Sequence, residues 1–396
     1  MSGTRLLLAA LVAGAALAAL LWWRSGPPPG APAAPRPTAA PAAATYDIAP
    51  QHLPSSTVPA STPLAGRVLR AALLEHLRAA PLPRELLERL AAGDVAEVAR
   101  RLAGASEPGS AALLAELQAL CRVVAEPAIE ADAAEARLML GSAARQPAVG
   151  AALEALVGAR REAESRLAAG CARARFDSAA IDRELAASAR NGDAASLVRL
   201  ALAGAGDPGK LGSAALLGAP RAQLRLGADE LRDQPAIARS WLETAARRDA
   251  DAAAYYGTCL LAGCGAPPEP VAARAMLEAA ARRGAPFALG LLSSGPATED
   301  VHRWTPASAF VSPVVASDPD ALGVAAADRY AWAALAGRLA DRGCFGFDLR
   351  LAADALAARP RLERSLSPAD AAAGELAATE LEASAGGEAR RARGCE

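Results

Sequence analysis

The feature that most constrains this chain is a pair of helical patterns that recurs every 31 to 35 residues in its second half. LETAARRDADAAAYYG precedes a break rich in glycine and proline, and LEAAARRGAPFALGLLSSG follows it, so that Asp249 and Gly284 hold equivalent places 35 residues apart. A related sequence surrounds Gly218, 31 residues before Asp249, and a fainter copy surrounds Gly192. A period of this length built from two helices is typical of a helical repeat array, which predicts an all-α fold.

The two helices of the best-defined unit differ in their polar residues. Ala252–Leu261 contains no charged residue, which predicts a helix buried between its neighbours. A second helix is predicted to begin near Pro270 and to carry arginine and glutamate on one face. Its opposite face is predicted to consist of Ala272, Ala275, Met276, Ala279 and Ala280.

These residues resemble the unit of the Sel-one-like repeat (SLR) family, which is related to the tetratricopeptide repeats. The matching positions are Ala253, Ala254, Tyr256, Gly257, Gly263, Gly265, Ala273, Ala279, Ala280 and Gly284. Tyr256 stands where the family usually has leucine, and alanine replaces the usual valine after Gly265. The resemblance implies an α/α solenoid that binds other proteins or peptides, commonly in bacterial envelope or secretion systems, and it implies no enzymatic activity.

The chain divides into six predicted segments. They are an N-terminal membrane helix (1–24), a Pro/Ala-rich linker (25–63), a helical region with possible degenerate repeats (64–180), the SLR repeats (181–292), an insertion loop (293–320) and C-terminal capping helices with a tail (321–396). Eleven of the 29 prolines lie between Ser25 and Pro63, and such a segment does not pack a core.

The N-terminal segment predicts an inner-membrane protein. Leu6–Trp23 is uncharged and mostly apolar, and as a helix of about 1.5 Å per residue it would span roughly 27 Å, close to the hydrocarbon core of a bilayer. Trp22 and Trp23 would lie at the interface. Residues 6–23 are therefore expected to contact lipid, with the C-terminal domain in the periplasm. The alternative is a cleaved signal peptide and a soluble periplasmic or secreted protein.

Six cysteines are present, an even number that permits disulfides in an exported chain. Cys259 and Cys264 are close enough in sequence to pair across a helix end. The other four could pair in order, and they are Cys121, Cys171, Cys344 and Cys395. The alternative is six buried free thiols. The sequence contains no pair of Cys-x-x-Cys motifs, so no zinc site is predicted.

Five residues are candidates for partner binding. Trp241, Tyr255 and Tyr256 are candidate anchors, although aromatic residues at helical spacing more often pack in a core. His302 and Trp304 lie in the 293–319 loop, where an interruption of the array could bind a partner, hold an enzyme site or remain disordered.

The sequence argues against two further kinds of binding, to nucleic acids and to nucleotides. The net charge of −1, with charges of both signs interspersed, argues against nucleic-acid binding. The loop Gly204–Leu211 satisfies G-x-x-x-x-G-K but follows a helical pattern and has Leu211 after Lys210 instead of serine or threonine, so it is interpreted as an inter-helix turn. No cofactor is predicted.

The sequence thus predicts a non-enzymatic scaffold of the bacterial cell envelope that binds a protein or peptide of unknown identity. The alternatives are an envelope enzyme or enzyme regulator that uses the 293–319 loop, or a purely structural spacer.

Overall fold

The structure is a computed structural model. It describes residues 63–78, 80–124, 129–203, 208–230, 233–264, 266–294 and 322–396, which form helices and the segments that connect them. No strand occurs among these residues, so the predicted all-α class is confirmed for them. They belong to one compact unit.

The helices are numbered in chain order. The first group is α1 (Pro63–His76), α2 (Arg84–Ala91), α3 (Val95–Ala103), α4 (Ser110–Val124), α5 (Ile129–Leu140) and α6 (Pro147–Arg173). The second group is α7 (Ser178–Arg190), α8 (Ala194–Ala203), α9 (Pro208–Leu216), α10 (Pro220–Glu230), α11 (Pro235–Ala246), α12 (Ala250–Ala262), α13 (Pro270–Arg282) and α14 (Pro286–Ser294). The third group is α15 (Ala326–Asp341), α16 (Leu349–Glu363), α17 (Pro368–Leu381) and α18 (Gly387–Arg393). A 3₁₀ turn (Gly141–Arg145) precedes α6, and a π-turn (Glu382–Gly386) joins α17 to α18.

Helices α10 to α13 form two consecutive hairpins that bury equivalent positions. In α11 the buried residues are Ala238, Leu242, Ala245 and Ala246. In α13 they are Ala273, Leu277, Ala280 and Ala281, each 35 residues later in the chain. The repeat seen in the sequence is therefore also a repeat of packing.

In each of these hairpins, one glycine lies where the backbone of the first helix packs closely against a leucine of the second. A Cβ atom on Gly227 of α10 would lie 2.6 Å from Leu242 Cγ, and one on Gly257 of α12 would lie 2.8 Å from Leu277 Cγ. Because van der Waals repulsion is severe at such distances, a side chain on either glycine would force the two helices apart.

The prediction for α12 was right and the prediction for the face of α13 was wrong. Every residue from Ala252 to Leu260 is buried, as the absence of charge indicates, and α13 begins at Pro270 as predicted. On α13, however, Ala272, Ala275 and Ala279 are exposed, Met276 is half-buried, and only Ala280 of the predicted face is buried. Alanine on all sides gives little contrast, so Leu277 sets the face that packs.

The first described helix contacts residues that directly follow two of the C-terminal helices, α15 and α18. Arg67 Nε donates a hydrogen bond to Arg342 O at 3.0 Å, and Arg70 Nε donates one to Gly394 O at 3.3 Å. Helix α1 also packs along α6, and α16 packs along α5. The C-terminal helices thus join the end of the repeated hairpins to the N-terminal helices.

The expected inner-membrane and periplasmic location is corrected by the structure. Over the described residues, no helix combines the length and the apolar character needed to cross a bilayer. The longest, α6, has 27 residues but carries charged side chains along its length, among them Glu154, Arg160 and Arg166. The predicted span 6–23 lies outside the described residues, as does the linker up to residue 62.

Candidate functional site

Helix α1 is packed on several sides, and this places its C-terminal end among other elements of the fold. Its buried residues are Ala65, Val68, Leu69, Ala71, Ala72 and Leu73. Helices α2, α4 and α6 contact it from the N-terminal part of the chain. The turns at Gly343 and Gly346 lie against it from the C-terminal part, because a Cβ on Gly343 would lie 2.6 Å from Val68 Cγ2.

A charged network lies at the C-terminal end of α1. Arg78 Nη1 donates to Asp251 Oδ2 at 2.7 Å, and Arg78 also pairs with Glu75. Arg393 Nη1 lies 3.5 Å from Glu75 Oε2. The network therefore ties α1 to the first turn of α12 and to the end of α18.

Burial and the neighbouring charges oppose each other in this network. Burial alone would lower the pKa of Arg78, but Glu75 and Asp251 raise it above its ordinary value. Burial alone would raise the pKa of Asp251, but Arg78 and then Arg393 lower it. Arg78 and Asp251 are therefore both charged at neutral pH. The pKa of the adjacent Asp249 is raised, first by burial and then by Asp251.

Two cavities adjoin the network. Four residues line both of them: Glu75, Arg78, Asp251 and Arg393. The smaller has a volume of about 390 Å³ and the larger about 660 Å³. Both volumes fall within the roughly 300–1,000 Å³ typical of ligand-binding pockets.

The smaller cavity combines an aromatic wall with a buried ion triplet. Arg160 Nη1 lies 2.8 Å from Asp132 Oδ2, and Arg160 Nε lies 2.6 Å from Glu164 Oε1. The guanidinium of Arg160 lies 5.8 Å from the centroid of the Phe347 ring, within cation–π range. His76 is 6.4 Å from the same ring between centroids. Because both carboxylates engage Arg160, its guanidinium has fewer donors left for a ligand than an unpaired arginine would have.

The larger cavity lies where the starts of five helices meet. The residues at these starts that line it are Gly109 before α4, Asp193 before α8, Ala219 before α10, Asp249 before α12 and Ala285 before α14. Helix starts carry unpaired backbone amides and a partial positive charge. The inter-helix turns of successive hairpins thus bring several electropositive ends to one place.

Two of these helix starts are capped by the chain itself and two have no capping side chain of their own. Asp193 Oδ2 accepts from Ser196 N at 3.0 Å, and Asp249 Oδ1 accepts from Ala252 N at 2.8 Å. Ala219 and Ala285 stand at the corresponding places before α10 and α14 and have no side-chain acceptor.

The six cysteines predicted as disulfide candidates form three pairs. These are Cys121–Cys171, Cys259–Cys264 and Cys344–Cys395, with Cα–Cα distances of 5.5, 5.2 and 5.1 Å. The third pair joins the turn after α15 to the end of α18, two elements that both contact α1. That pair therefore supports the packing around the charged network.

Three of the five predicted partner-binding residues lie in the described part of the chain. Tyr255 and Tyr256 are less than a tenth exposed, and the Tyr255 ring packs 5.3 Å from that of Phe287 between centroids. Trp241 is half-buried against the small core formed by α8, α9 and α10. His302 and Trp304 lie outside the described residues, together with most of the 293–319 loop.

The charged network and the cavities beside it were not predicted from the sequence. Glu75 and Arg78 lie in the predicted helical region 64–180, and Asp251 lies in a predicted repeat, but 173 residues separate Arg78 from Asp251. One signal was present: Glu75, His76 and Arg78 cluster at the C-terminal end of α1. Charged groups that become buried at such a place need partners elsewhere in the fold.

Neither metal ligands nor comparison with known proteins indicates what the site binds. Among the described residues, no group of three or more histidine, cysteine, aspartate or glutamate side chains is placed to hold a metal ion. No family model, no curated protein and no solved structure matches this chain.

Proposed function

We propose that this chain is a non-enzymatic protein-interaction scaffold, built on an α/α solenoid of the Sel-one-like type, which binds a segment of another protein in the larger cavity. The equivalent buried positions of α11 and α13 support the solenoid, as do the matching glycine contacts of Gly227 and Gly257. A solenoid presents the same structural element from each unit at one surface, and this suits binding to an extended segment.

The observation that carries the proposal is the composition of the larger cavity. It is formed by turns from successive hairpins and by residues of α1, so that no single unit contains the whole site. Its lining includes partly exposed apolar residues that offer contact area, namely Leu74, Leu82, Leu217 and Leu224. It also includes arginines and helix starts that offer hydrogen-bond donors. Apolar contact area with a few directional polar groups is the usual make-up of a recognition site.

Photo-crosslinking in the cells that produce the protein tests this proposal. A photoreactive amino acid replaces Leu217, which lines the larger cavity and is 55% exposed. The matched control replaces Leu138 of α5, which is 80% exposed and lines neither cavity. We expect a discrete protein adduct from position 217 that is absent at position 138.

The identified partner is then purified and its binding to the intact protein is measured directly. Equal adducts at both positions would mean that contact is not directed to the cavity. No adduct at position 217 would favour the structural spacer over the scaffold.

A further inference from the structure

The larger cavity is lined by two arginines that form no ion pair with the described residues. Five arginines line it, but Arg78 and Arg393 are engaged by Glu75 and Asp251, and Arg221 Nη1 lies 2.8 Å from Glu116 Oε1. The two that remain are Arg248 and Arg283.

Arg248 and Arg283 are held in place by backbone carbonyls. Arg248 Nη1 donates to Gly218 O at 3.3 Å, and Arg283 Nη2 donates to Arg248 O at 2.9 Å. Neither forms an ion pair within the described part of the chain, although Arg283 is near enough to Asp251 to help lower its pKa. A guanidinium has five N–H donors in a fixed plane, so each arginine keeps donors for a ligand.

Four carboxylates also line the cavity, those of Glu75, Asp193, Asp249 and Asp251, but none of them forms an ion pair with Arg248 or Arg283. Asp193 and Asp249 accept hydrogen bonds from the first turns of their own helices, whose partial positive charge offsets part of theirs. Asp251 is paired with Arg78. The uncapped starts of α10 and α14, which follow Ala219 and Ala285, add further positive potential on the same lining.

An apolar surface borders this positive potential. Leu217 lines the cavity and is 55% exposed, and the adjacent Leu216 at the end of α9 is 80% exposed. Exposed apolar side chains that are neighbours in the chain and border a cavity are typical of binding surfaces.

We propose that the larger cavity binds an acidic segment of a partner protein, in which aspartate or glutamate side chains contact Arg248 and Arg283 and a neighbouring apolar side chain covers Leu216 and Leu217. This proposal rests on the proposed scaffold function and names the chemistry of its partner. Carboxylates match the planar donor geometry of arginine, and the pairing is strengthened where the site is partly screened from water.

Selection from random peptides displayed on phage tests the proposal. The full-length protein, with its disulfides intact, is the target, and bound phage are counter-selected against the Arg248→Glu/Arg283→Glu variant. Enriched peptides are then synthesised with an amidated C-terminus and their affinities are measured at low and high salt. Amidation removes the terminal carboxylate, so that only side-chain carboxylates remain.

The matched control is Arg247→Glu, which reverses an exposed arginine that pairs with Glu243 and does not line the cavity. Arg248→Gln/Arg283→Gln removes charge without adding a negative one, and circular dichroism checks that each variant is folded. We expect enrichment of aspartate and glutamate, and binding weakened roughly tenfold or more by either double variant but not by Arg247→Glu. High salt should weaken binding in the same direction.

The outcomes separate this inference from the proposed function. Enriched peptides whose binding is weakened by the cavity variants but which lack acidic residues would refute the proposed acidic segment. They would still support the scaffold function. Binding that amidation abolishes would show that a terminal carboxylate is recognised, and would overturn the side-chain assignment. No enrichment, or enrichment that ignores the cavity variants, would overturn the inference and the proposed function together.

Discussion

The repeated hairpins α10–α13 and the junction around α1 are stabilised in different ways. In the hairpins, each helix packs mainly against the helices next to it in sequence. Around α1, contacts join residues that are far apart, such as Arg70 and Gly394, which are separated by 324 positions. The hairpins thus form from local contacts, whereas the junction requires the two ends of the described chain to meet.

Two of the disulfides differ in the same way, because one lies within a hairpin and the other lies at the junction around α1. Cys259–Cys264 closes a short loop at the end of α12, with a sequence separation of 5. Cys344–Cys395 has a separation of 51 and holds together the two elements that cover α1 from the C-terminal side. A cross-link that closes a longer loop removes more entropy from the unfolded chain. We therefore expect the junction to depend more on its disulfide than the hairpin does.

Removal of each disulfide gives the largest expected effect and tests this comparison directly. Cys344→Ala/Cys395→Ala should lower the free energy of unfolding by about 4 kcal/mol, because the cross-linked loop has a separation of 51. Cys259→Ala/Cys264→Ala should lower it by about 2 kcal/mol, because that loop is short. Denaturant unfolding without reductant measures both. Since all four cysteines are buried and are changed to alanine, an equal loss in the two variants would refute the role of loop length.

The ion pair between Arg78 and Asp251 gives the next largest effect. Asp251→Asn should lower the free energy of unfolding by about 2 kcal/mol, because it leaves the half-buried Arg78 without its 2.7 Å charged partner. The matched control is Asp229→Asn, which breaks the exposed Arg225–Asp229 pair within α10 and should cost about 0.5 kcal/mol or less. Urea titration of the two variants compares them. Equal losses would mean that the junction pair contributes no more than a surface pair.

The hairpins have their own sensitive position at Gly257. Gly257→Ala would place a Cβ 2.8 Å from Leu277 Cγ and should lower the free energy of unfolding by about 1–2 kcal/mol through overpacking. Gly158→Ala in α6 is the matched control, because a Cβ there meets nothing within 4 Å. It should raise stability by about 0.5–1 kcal/mol, as alanine does in place of an exposed helical glycine.

Thermal unfolding of both glycine variants measures the difference. If Gly257→Ala is as stable as Gly158→Ala, then α12 and α13 have room to separate, and the close contact is not required. Gly227→Ala should behave like Gly257→Ala, since Gly227 meets Leu242 in the equivalent way.

The same comparison explains which parts of the structure were predictable. The absence of charge from Ala252 to Leu261 predicted burial of α12 on all sides, and Pro270 predicted the start of α13, because both signals act within a few residues. The face of α13 was misassigned because alanine occupies both exposed and buried positions, and only Leu277 distinguishes them.

The candidate site was not predictable because it combines residues from distant parts of the chain. Arg78, Asp251 and Arg393 come from three separate regions, and each is an ordinary charged residue in its own segment. Pairing between them depends on the packing of α1, which local patterns do not determine.

The pH dependence of stability gives the smallest expected effect at the junction. Partial burial lowers the pKa of His76 below its ordinary value of 6.5; Glu75 opposes this, and Arg78 and Arg221 add to it. The folded protein then binds this proton less tightly than the unfolded chain. The free energy of unfolding should therefore be fully retained above pH 6.5 and should fall as the pH drops from there toward the lower folded pKa.

His76→Gln should flatten this part of the curve, measured as the free energy of unfolding at intervals from about pH 5 to 7, where an ordinary histidine titrates. Asp249 and Asp348 cannot produce the same slope, because burial raises their pKa values and a carboxyl that holds its proton more tightly when folded adds stability as the pH falls. A slope that His76→Gln leaves unchanged would therefore have to arise outside the charged network. It would also mean that the end of α1 is more open to water than its packing against Phe347 indicates.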